Sequence, residues 1–256
     1  MPCETFEDAF EAVRSKQADL AMIPVDNTIA GRVADVHHLM PGGDLFIIGE
    51  HFQPVHHALL AIKGTKLEDI TTVHSHVHAL PQCRKFIKAQ GLKGVIHADT
   101  AGAAREIATR NDKQHAAIAS SLAAEIYGLD ILKANIQDRE NNITRFVILS
   151  REPEIPLYEE SDLPGKTITS LIFEARNIPA ALYKCLGGFA TAGFNLTKLE
   201  SYVNENFEAA RFYMDVEGHP ESASFKLALE ELGFYAKHVL FLGAYPAHPF
   251  RAGKRA

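Results

Sequence analysis

The chain has 256 residues, of which 46% are hydrophobic and 23% charged, the balance of an ordinary globular protein and not of a disordered one. A formal net charge of −6 supplies no basic field for nucleic acid or an anionic membrane, and no apolar run approaches the length of a membrane span. The three cysteines, Cys3, Cys83 and Cys185, are too few and too far apart to read as a disulfide framework or a metal-ligand set, and the acidic start "MPCETFEDAF" lacks the basic-then-apolar pattern of a signal peptide, so a reducing cytoplasm is the expected compartment.

The first 150 residues alternate helical and extended patterns. In "TFEDAFEAVRSK", Thr5 is placed as a helix N-cap, with Asp8 at the third position and apolar residues at helical spacing. "LAMIPV" then reads as a short buried strand, "RVADVHHLM" as a helix and "LFIIG" as a strand. "HFQPVHHALLAIK" is extended, with Pro54 at a strand edge or start. "TTVHS" (strand), "ALPQCRKFIKAQG" (helix ending at Gly91), "GVIH" (strand), "TAGAAREIATR" (helix), "AAIAS" (strand), "SLAAEIYG" (helix) and "FVILS" (strand) follow. Strands alternating with helices predict βαβ units and a largely parallel sheet. Residues 151–166, "REPEIPLYEESDLPGK", are rich in proline and acid and predict a linker.

The remainder predicts β-α-β-β-α-β, the split βαβ order of ferredoxin-like domains. Its pieces are "TITSLIF", a helix over "NIPAALYKCLGGFATAG" capped by Asn177 with Pro179 in its first turn, "FNLTKLESYV", the polar turn "NENFE", "AARFYMDVEG", a helix over "ESASFKLALEELG", and "HVLFLGAY".

Several places carry candidate chemistry. Asp26, Asn27 and Thr28 follow a strand, where open α/β sheets bind ligands, yet all three are also ordinary helix caps. Ser75 and Gln82 are seven residues apart, two helical turns, and Ser75 fits a plain N-cap equally well. "NNITRF", residues 141–146, opens an apolar strand with two amides, a hydroxyl and a guanidinium. If that stretch is extended throughout, Thr144 and Arg145 point to opposite faces and cannot both enter one pocket. His74, His76 and His78 alternate and would share a strand face, but no acidic or cysteine partner has ligand spacing, so no metal is expected. The pairs His37–His38 and His56–His57 diverge from each other and carry less. A Gly-rich phosphate fingerprint and a G-x-S-x-G elbow are both missing.

Taken together these residues resemble the prephenate dehydratase family over nearly the whole chain. The family's Thr-Arg-Phe motif is Thr144-Arg145-Phe146, preceded by the similar stretch "AEIYGLDILKANIQDRENN". Its Asn-Ser corresponds to Asn27-Thr28, with Asp26 in place of Glu, and its Ser-to-Gln spacing is kept from Ser75 to Gln82. "ADTAGAA", with Thr100, and "AAIASSLAAEIYGL", with Ser120, match two stretches that line the family's pocket. Family members begin with a strand, a glycine-containing loop and a helix before the segment matching "PCETFEDAF", so a misassigned start or a fragment is the expectation here.

The resemblance implies an α/β chain. A two-lobed, periplasmic-binding-protein-like catalytic domain covers residues 1–150, with its second lobe at about 52–128, the linker follows, and a ferredoxin-like ACT domain covers 167–248. It implies Asn27, Ser75, Gln82 and Thr144 as the catalytic set, and Thr28, Thr100, Ser120, Arg145 and Phe146 as substrate contacts, with Arg145 either neutralising a carboxylate or bracing the loop. In the ACT domain it implies Asn177, Ala180, Ala181, Leu182, Glu200 and Ser201 as effector contacts. Ala180 stands where the family has glycine, and Tyr202 where it has arginine. The implied reaction converts prephenate to phenylpyruvate without metal or organic cofactor, in a homodimer or homotetramer regulated by L-phenylalanine. Arogenate dehydration, or amino-acid sensing without catalysis, are the alternatives.

Overall fold

The structure, a computed structural model, describes residues 1–42, 44–159, 165–203 and 209–252. The turn expected at "NENFE" and residues 160–164 of the expected linker lie outside the described residues. The chain forms two compact units. The first comprises Met1–Asp26, Arg32–Phe52 and Arg145–Ala256; the second comprises Asn27–Gly31 and Gln53–Thr144.

Helix α1 (Phe6–Arg14) starts where the sequence places it: the Asp8 amide donates to Thr5 Oγ1 at 3.1 Å, and the Thr5 amide donates back to Asp8 at 3.2 Å. Then come β1 (Leu20–Asn27), the two-residue β2 (Gly31–Arg32), α2 (Ala34–Leu39), β3 (Phe46–Pro54), β4 (Ala58–Ala61) and β5 (Thr72–His76). The helix expected from "ALPQCRKFIKAQG" divides into a 3-10 turn, Leu80–Cys83, and α3 (Arg84–Ala89). Next are β6 (Lys93–His97), α4 (Thr100–Arg110), β7 (His115–Ala119), α5 (Ser121–Tyr127), the short β8 (Asp130–Lys133) and β9 (Ile143–Ser150).

The second unit is built on a sheet of order β6-β5-β7-β4-β8. Its β5 runs parallel to β6 and β7, whereas β4 is antiparallel to β7 and β8, so the sheet is mixed where the alternation of elements predicted a largely parallel one. Both faces are covered. Leu60, Ala117 and Ala119 face α4 and α5, and Leu59, Ala61, Ala116 and Ile118 face the opposite core with Cys83. This double burial makes β4 and β7 read as continuous apolar runs.

The first unit holds two four-stranded sheets. One has the order β2-β1-β9-β3. The other is formed by β10 (Thr167–Ala175), α6 (Ala181–Thr191), β11 (Asn195–Val203), β12 (Ala209–Glu217), α7 (Ala223–Tyr235) and β13 (Ala236–Pro246), with the short α8 (Pro249–Ala252) after it. Its strand order β11-β12-β10-β13, antiparallel throughout, is the ferredoxin-like arrangement. Leu171, Phe173, Met214 and Val216 pack under α6 and α7. The alternate residues Ile168, Ile172, Tyr213 and Tyr245 join Ile23, Val25, Ile47, Val147 and Leu149 of the first sheet in one core. At Gly243, φ is +151° and an added Cβ would collide with the Ile47 carbonyl, so glycine is what allows this close approach.

The start of α6 departs from its sequence signal. Asn177 does not cap it. Ala180 is the N-cap, with left-handed φ of 59° and no side-chain hydrogen bond. By contrast, Ser222 caps α7, accepting from the Phe225 amide at 3.3 Å.

Candidate active site

Strand β9 begins at Ile143, which settles the parity question at "NNITRF". Thr144 is half-buried in the second unit; Arg145, next along the strand, is 6% exposed in the first. Side chains of successive strand residues diverge, so the two belong to different surroundings.

In the second unit, Thr144 lies at one end of a chain of hydrogen bonds. Asn27 Nδ2 donates to Thr144 Oγ1 at 3.0 Å and to Asn142 Oδ1 at 2.8 Å. Asn142 Nδ2 donates to Gln82 Oε1 at 2.6 Å, and the same oxygen lies 2.9 Å from His57 Nε2. An amide oxygen only accepts, so His57 carries its proton on Nε2. Asn27 Oδ1 in turn accepts from the amides of Ile29 (2.9 Å) and Ala30 (2.8 Å), which satisfies the whole Asn27 amide and fixes its orientation. The polarity of the chain matters chemically. Thr144 Oγ1 is an acceptor toward Asn27, so its own proton is free to be donated to a bound molecule.

The Asn27, Gln82 and Thr144 of the expected catalytic set are thus linked, through Asn142, the second amide of "NNITRF". Ser75 is not linked to them. It is fully buried, and its hydroxyl donates to the Ile118 carbonyl at 2.6 Å, tying β5 to β7. Thr28 is exposed and closes the turn after β1: Oγ1 donates to the Asn141 carbonyl at 2.6 Å and accepts from the Ile143 amide at 2.9 Å. Thr100 is the half-buried first residue of α4, and exposed Ser120 caps α5 by accepting from the Ala123 amide. Phe146 is half-buried on β9.

Nothing in the sequence marks His57, since its neighbour His56 diverges from it and its partner Gln82 is distant along the chain. Burial depresses its pKa below the ordinary histidine value, only partly offset by the hydrogen bond to Gln82, so the ring is neutral near pH 7. The chain from Thr144 to His57 therefore carries no formal charge.

Arg145, expected either to contact substrate or to act as a brace, is bonded on every guanidinium nitrogen to protein. Its Nε donates to Glu50 Oε2 at 2.9 Å, Nη1 to Asp215 Oδ2 at 2.6 Å and Nη2 to the Tyr245 hydroxyl at 2.9 Å, all inside the first unit. Each guanidinium nitrogen has a protein partner, so it braces the fold in this arrangement.

The alternating histidines also separate. His74 packs edge-on against His115, with Thr72 Oγ1 2.5 Å from His115 Nδ1, while the His76 ring lies tilted beside that of His78, just beyond the strand. Among the described residues, no group of three or more His, Cys, Asp or Glu side chains is placed to hold a metal ion. No helix among them is long and apolar enough to cross a membrane.

Of the expected effector contacts, Asn177 and Ala180 are exposed, Ala181 and Leu182 begin α6, and Glu200 and Ser201 lie on β11. Glu200 Oε1 accepts from Arg32 Nη1 at 2.8 Å within the first unit.

Comparison with known proteins adds to this geometry. The profile of the family described as prephenate dehydratase matches residues 1–154. A bifunctional N-acyl-homoserine lactone acylase/prephenate dehydratase of Komagataeibacter europaeus is 48% identical, over 98% of this chain and 88% of its own length. Arogenate dehydratase/prephenate dehydratase 6 of Arabidopsis thaliana, a chloroplastic protein, is 41% identical over 96% of this chain; the match spans 62% of that longer protein. The crystal structure of prephenate dehydratase from Arthrobacter aurescens in complex with L-Phe superposes with a TM-score of 0.87 at 30% identity, covering 98% of this chain and 82% of that one.

Proposed function

Because the chain belongs to the prephenate dehydratase family, we propose that it converts prephenate to phenylpyruvate and that Thr144 donates a hydrogen bond to the departing hydroxyl. The observation that carries this reading is the Asn27–Thr144 hydrogen bond, whose direction leaves the threonine proton available.

The chemistry asks for such a group. The bond from the ring to its carboxylate breaks and CO2 departs. The electron pair enters the ring, the ring carbon–oxygen bond breaks, and the oxygen leaves with a proton as water while the ring becomes aromatic. Hydroxide is a poor leaving group, so stabilising the oxygen as it departs is the main task, and a positioned proton donor is typically worth about a hundred- to ten-thousand-fold. A threonine hydroxyl is a very weak acid. Thr144 therefore acts as a hydrogen-bond donor that relays a proton and recovers one from solvent. Gln82 is a neutral amide held by Asn142 and His57 before substrate arrives, which suits it to stabilise developing charge without reorganising, while Asn27, fully bonded itself, orients the Thr144 hydroxyl. The Asn27 orientation is fixed by the Ile29 and Ala30 amides, and that of Gln82 by Asn142 and His57.

In this reading residues 1–150 form the catalytic domain and 167–248 an ACT domain that senses L-phenylalanine through the surface near the start of α6 and β11. Support comes from the ferredoxin-like order of the C-terminal sheet and from the similarity to the Arthrobacter protein, whose structure contains L-Phe. Arogenate, the amino analogue of prephenate, is the second candidate substrate, favoured by the name of the Arabidopsis relative.

The name of the Komagataeibacter relative raises acyl-homoserine lactone hydrolysis as a further activity. The site lends that less support. A nucleophilic hydroxyl needs an adjacent base, whereas Thr144 receives a hydrogen bond from an amide, and His57 is bonded to Gln82.

The deciding assay follows phenylpyruvate from prephenate and phenylalanine from arogenate, each with and without added L-phenylalanine, beside fatty-acid release from an N-acyl-homoserine lactone. The proposal expects phenylpyruvate formation that responds to L-phenylalanine. Purified, folded protein that turns over neither cyclohexadiene would contradict it.

A further inference from the structure

Two residues adjoining the candidate site are held by the C-terminal sheet. Asp26 immediately precedes Asn27 on β1, and Arg145 immediately follows Thr144 on β9. Lys198 Nζ of β11 lies 2.6 Å from Asp26 Oδ1, and Asp215 Oδ2 of β12 lies 2.6 Å from Arg145 Nη1. Asp26 and Arg145 also face each other at 3.7 Å, which closes a four-member ionic row, Lys198–Asp26–Arg145–Asp215.

The row is anchored by sheet register. Lys198 and Asp215 are cross-strand partners on β11 and β12, and Asp215 pairs in turn with Ser170 on β10. Ser170 Oγ and the Tyr213 hydroxyl donate to the other Asp215 oxygen at 2.5 and 2.7 Å. Asp215 is fully buried and the Lys198 side chain is 12% exposed, so neither is a loosely solvated surface pair. A half-satisfied network of this kind is unstable, and a complete one is rigid.

We propose that Lys198 and Asp215 are positioning residues for the reaction. By holding Asp26 and Arg145, one residue away along each strand, they set the spacing of the Asn27–Thr144 pair. The physical basis is short and covalent. Consecutive Cα atoms are about 3.8 Å apart and strand backbone is stiff, so a displaced Asp26 or Arg145 displaces its neighbour. A misplacement of about 1 Å in a reacting group can cost about a hundredfold in rate. The C-terminal sheet thereby acts on both strand ends at once. This rests on the reading of Thr144, oriented by Asn27, as the group that acts on the departing oxygen.

The test uses the full chain carrying Lys198→Met, Lys198→Arg or Asp215→Asn, each checked for folding by circular dichroism. The first readout is amide hydrogen exchange over residues 28–30. The Thr28 amide bonds the Ile143 carbonyl at 3.0 Å and those of Ile29 and Ala30 bond Asn27, with β7 as a control. The second is the turnover number and Michaelis constant for phenylpyruvate formation. Lys198→Met is expected to speed exchange at 28–30 about tenfold and to lower turnover about tenfold with a Michaelis constant within about twofold, β7 being unaffected. Lys198→Arg is expected to restore both, and Asp215→Asn to reproduce the loss. Unchanged exchange at 28–30 in both Lys198→Met and Asp215→Asn overturns the proposal, as does faster exchange at undiminished turnover. If the unaltered protein makes no phenylpyruvate, the reading of the function falls, and exchange alone decides this inference.

Discussion

Asn27 donates to Thr144, and not the reverse, at 3.0 Å between residues 117 apart in the sequence. The direction is enforced, because Asn27 Oδ1 is already taken by the amides of Ile29 and Ala30. Replacing Asn27 with aspartate keeps those two acceptor bonds but removes both donated ones, to Thr144 and to Asn142 Oδ1. Thr144 must then turn its own proton toward residue 27. Asn27→Asp is expected to lower the turnover number about a hundredfold and, because buried Asn142 Oδ1 loses its donor, to lower stability by about 1–3 kcal/mol without unfolding the protein. Steady-state kinetics beside a thermal melt checks this; full turnover in Asn27→Asp would show that the direction of the bond is irrelevant.

His57 gives a prediction with a defined sign. Burial lowers its pKa and the Gln82 hydrogen bond raises it, with burial dominant. The folded protein therefore takes up this proton at lower pH than the unfolded chain, whose value is about 6.5. Stability attributable to neutral His57 is complete above that pH and declines as pH falls through 6.5 toward the folded value. An NMR titration should place the midpoint below 6.5, and Gln82→Leu should move it lower still. A midpoint at or above 6.5 would show that the ring is not desolvated as described.

For Asp215 the window lies lower. Burial alone would raise its pKa, but Arg145 and the hydrogen bonds from Ser170 and Tyr213 outweigh burial and hold it below the usual carboxylate range. The unfolded value is about 3.9, so the carboxylate's contribution is complete above about pH 4 and fades as pH falls through the folded value. Breaking a buried ion pair costs about 3–5 kcal/mol, and Asp215→Asn should lose a substantial part of that at neutral pH. Urea unfolding of both proteins between pH 7 and pH 3 should give a gap that is level near neutrality and narrows in acid. A gap that widens in acid would refute the ion-pair account.

Ala180 sits at φ 59°, a conformation that costs a residue with a Cβ about 1–2 kcal/mol. Ala180→Gly should therefore stabilise the protein by about 1 kcal/mol, read from denaturant unfolding. Equal or lower stability would mean that the strain is relieved in some other way.

The same helix start shows where sequence reading succeeds and fails. Thr5 with Asp8, and Ser222 before α7, are local signals, since donor and acceptor lie three residues apart and nothing distant competes. Asn177 and Pro179 give an equally good local signal, yet α6 begins at Ala181 behind a left-handed Ala180. The short β8 exists as a strand because Leu59, Leu60 and Ala61 pair with Lys133, Ile131 and Asp130, and no local pattern marks it. The site divides in the same way. Thr144, Asn27 and Gln82 are legible from motif spacing, but Asn142 and His57 gain their meaning only when Gln82 arrives 60 and 25 residues away. Parity alone restricted Thr144 and Arg145 to opposite faces. It could not say that Arg145 would meet Asp215, 70 residues on.

The most direct measurement is the steady-state kinetics of Thr144→Val and Thr144→Ser with prephenate. Valine keeps the shape and removes the hydroxyl, whereas serine keeps the hydroxyl. If Thr144 assists the departing oxygen, Thr144→Val should lower the turnover number by about a hundredfold or more with little change in the Michaelis constant, and Thr144→Ser should retain most of it. An unchanged turnover number in Thr144→Val would remove Thr144 from the reaction and contradict the account at its centre.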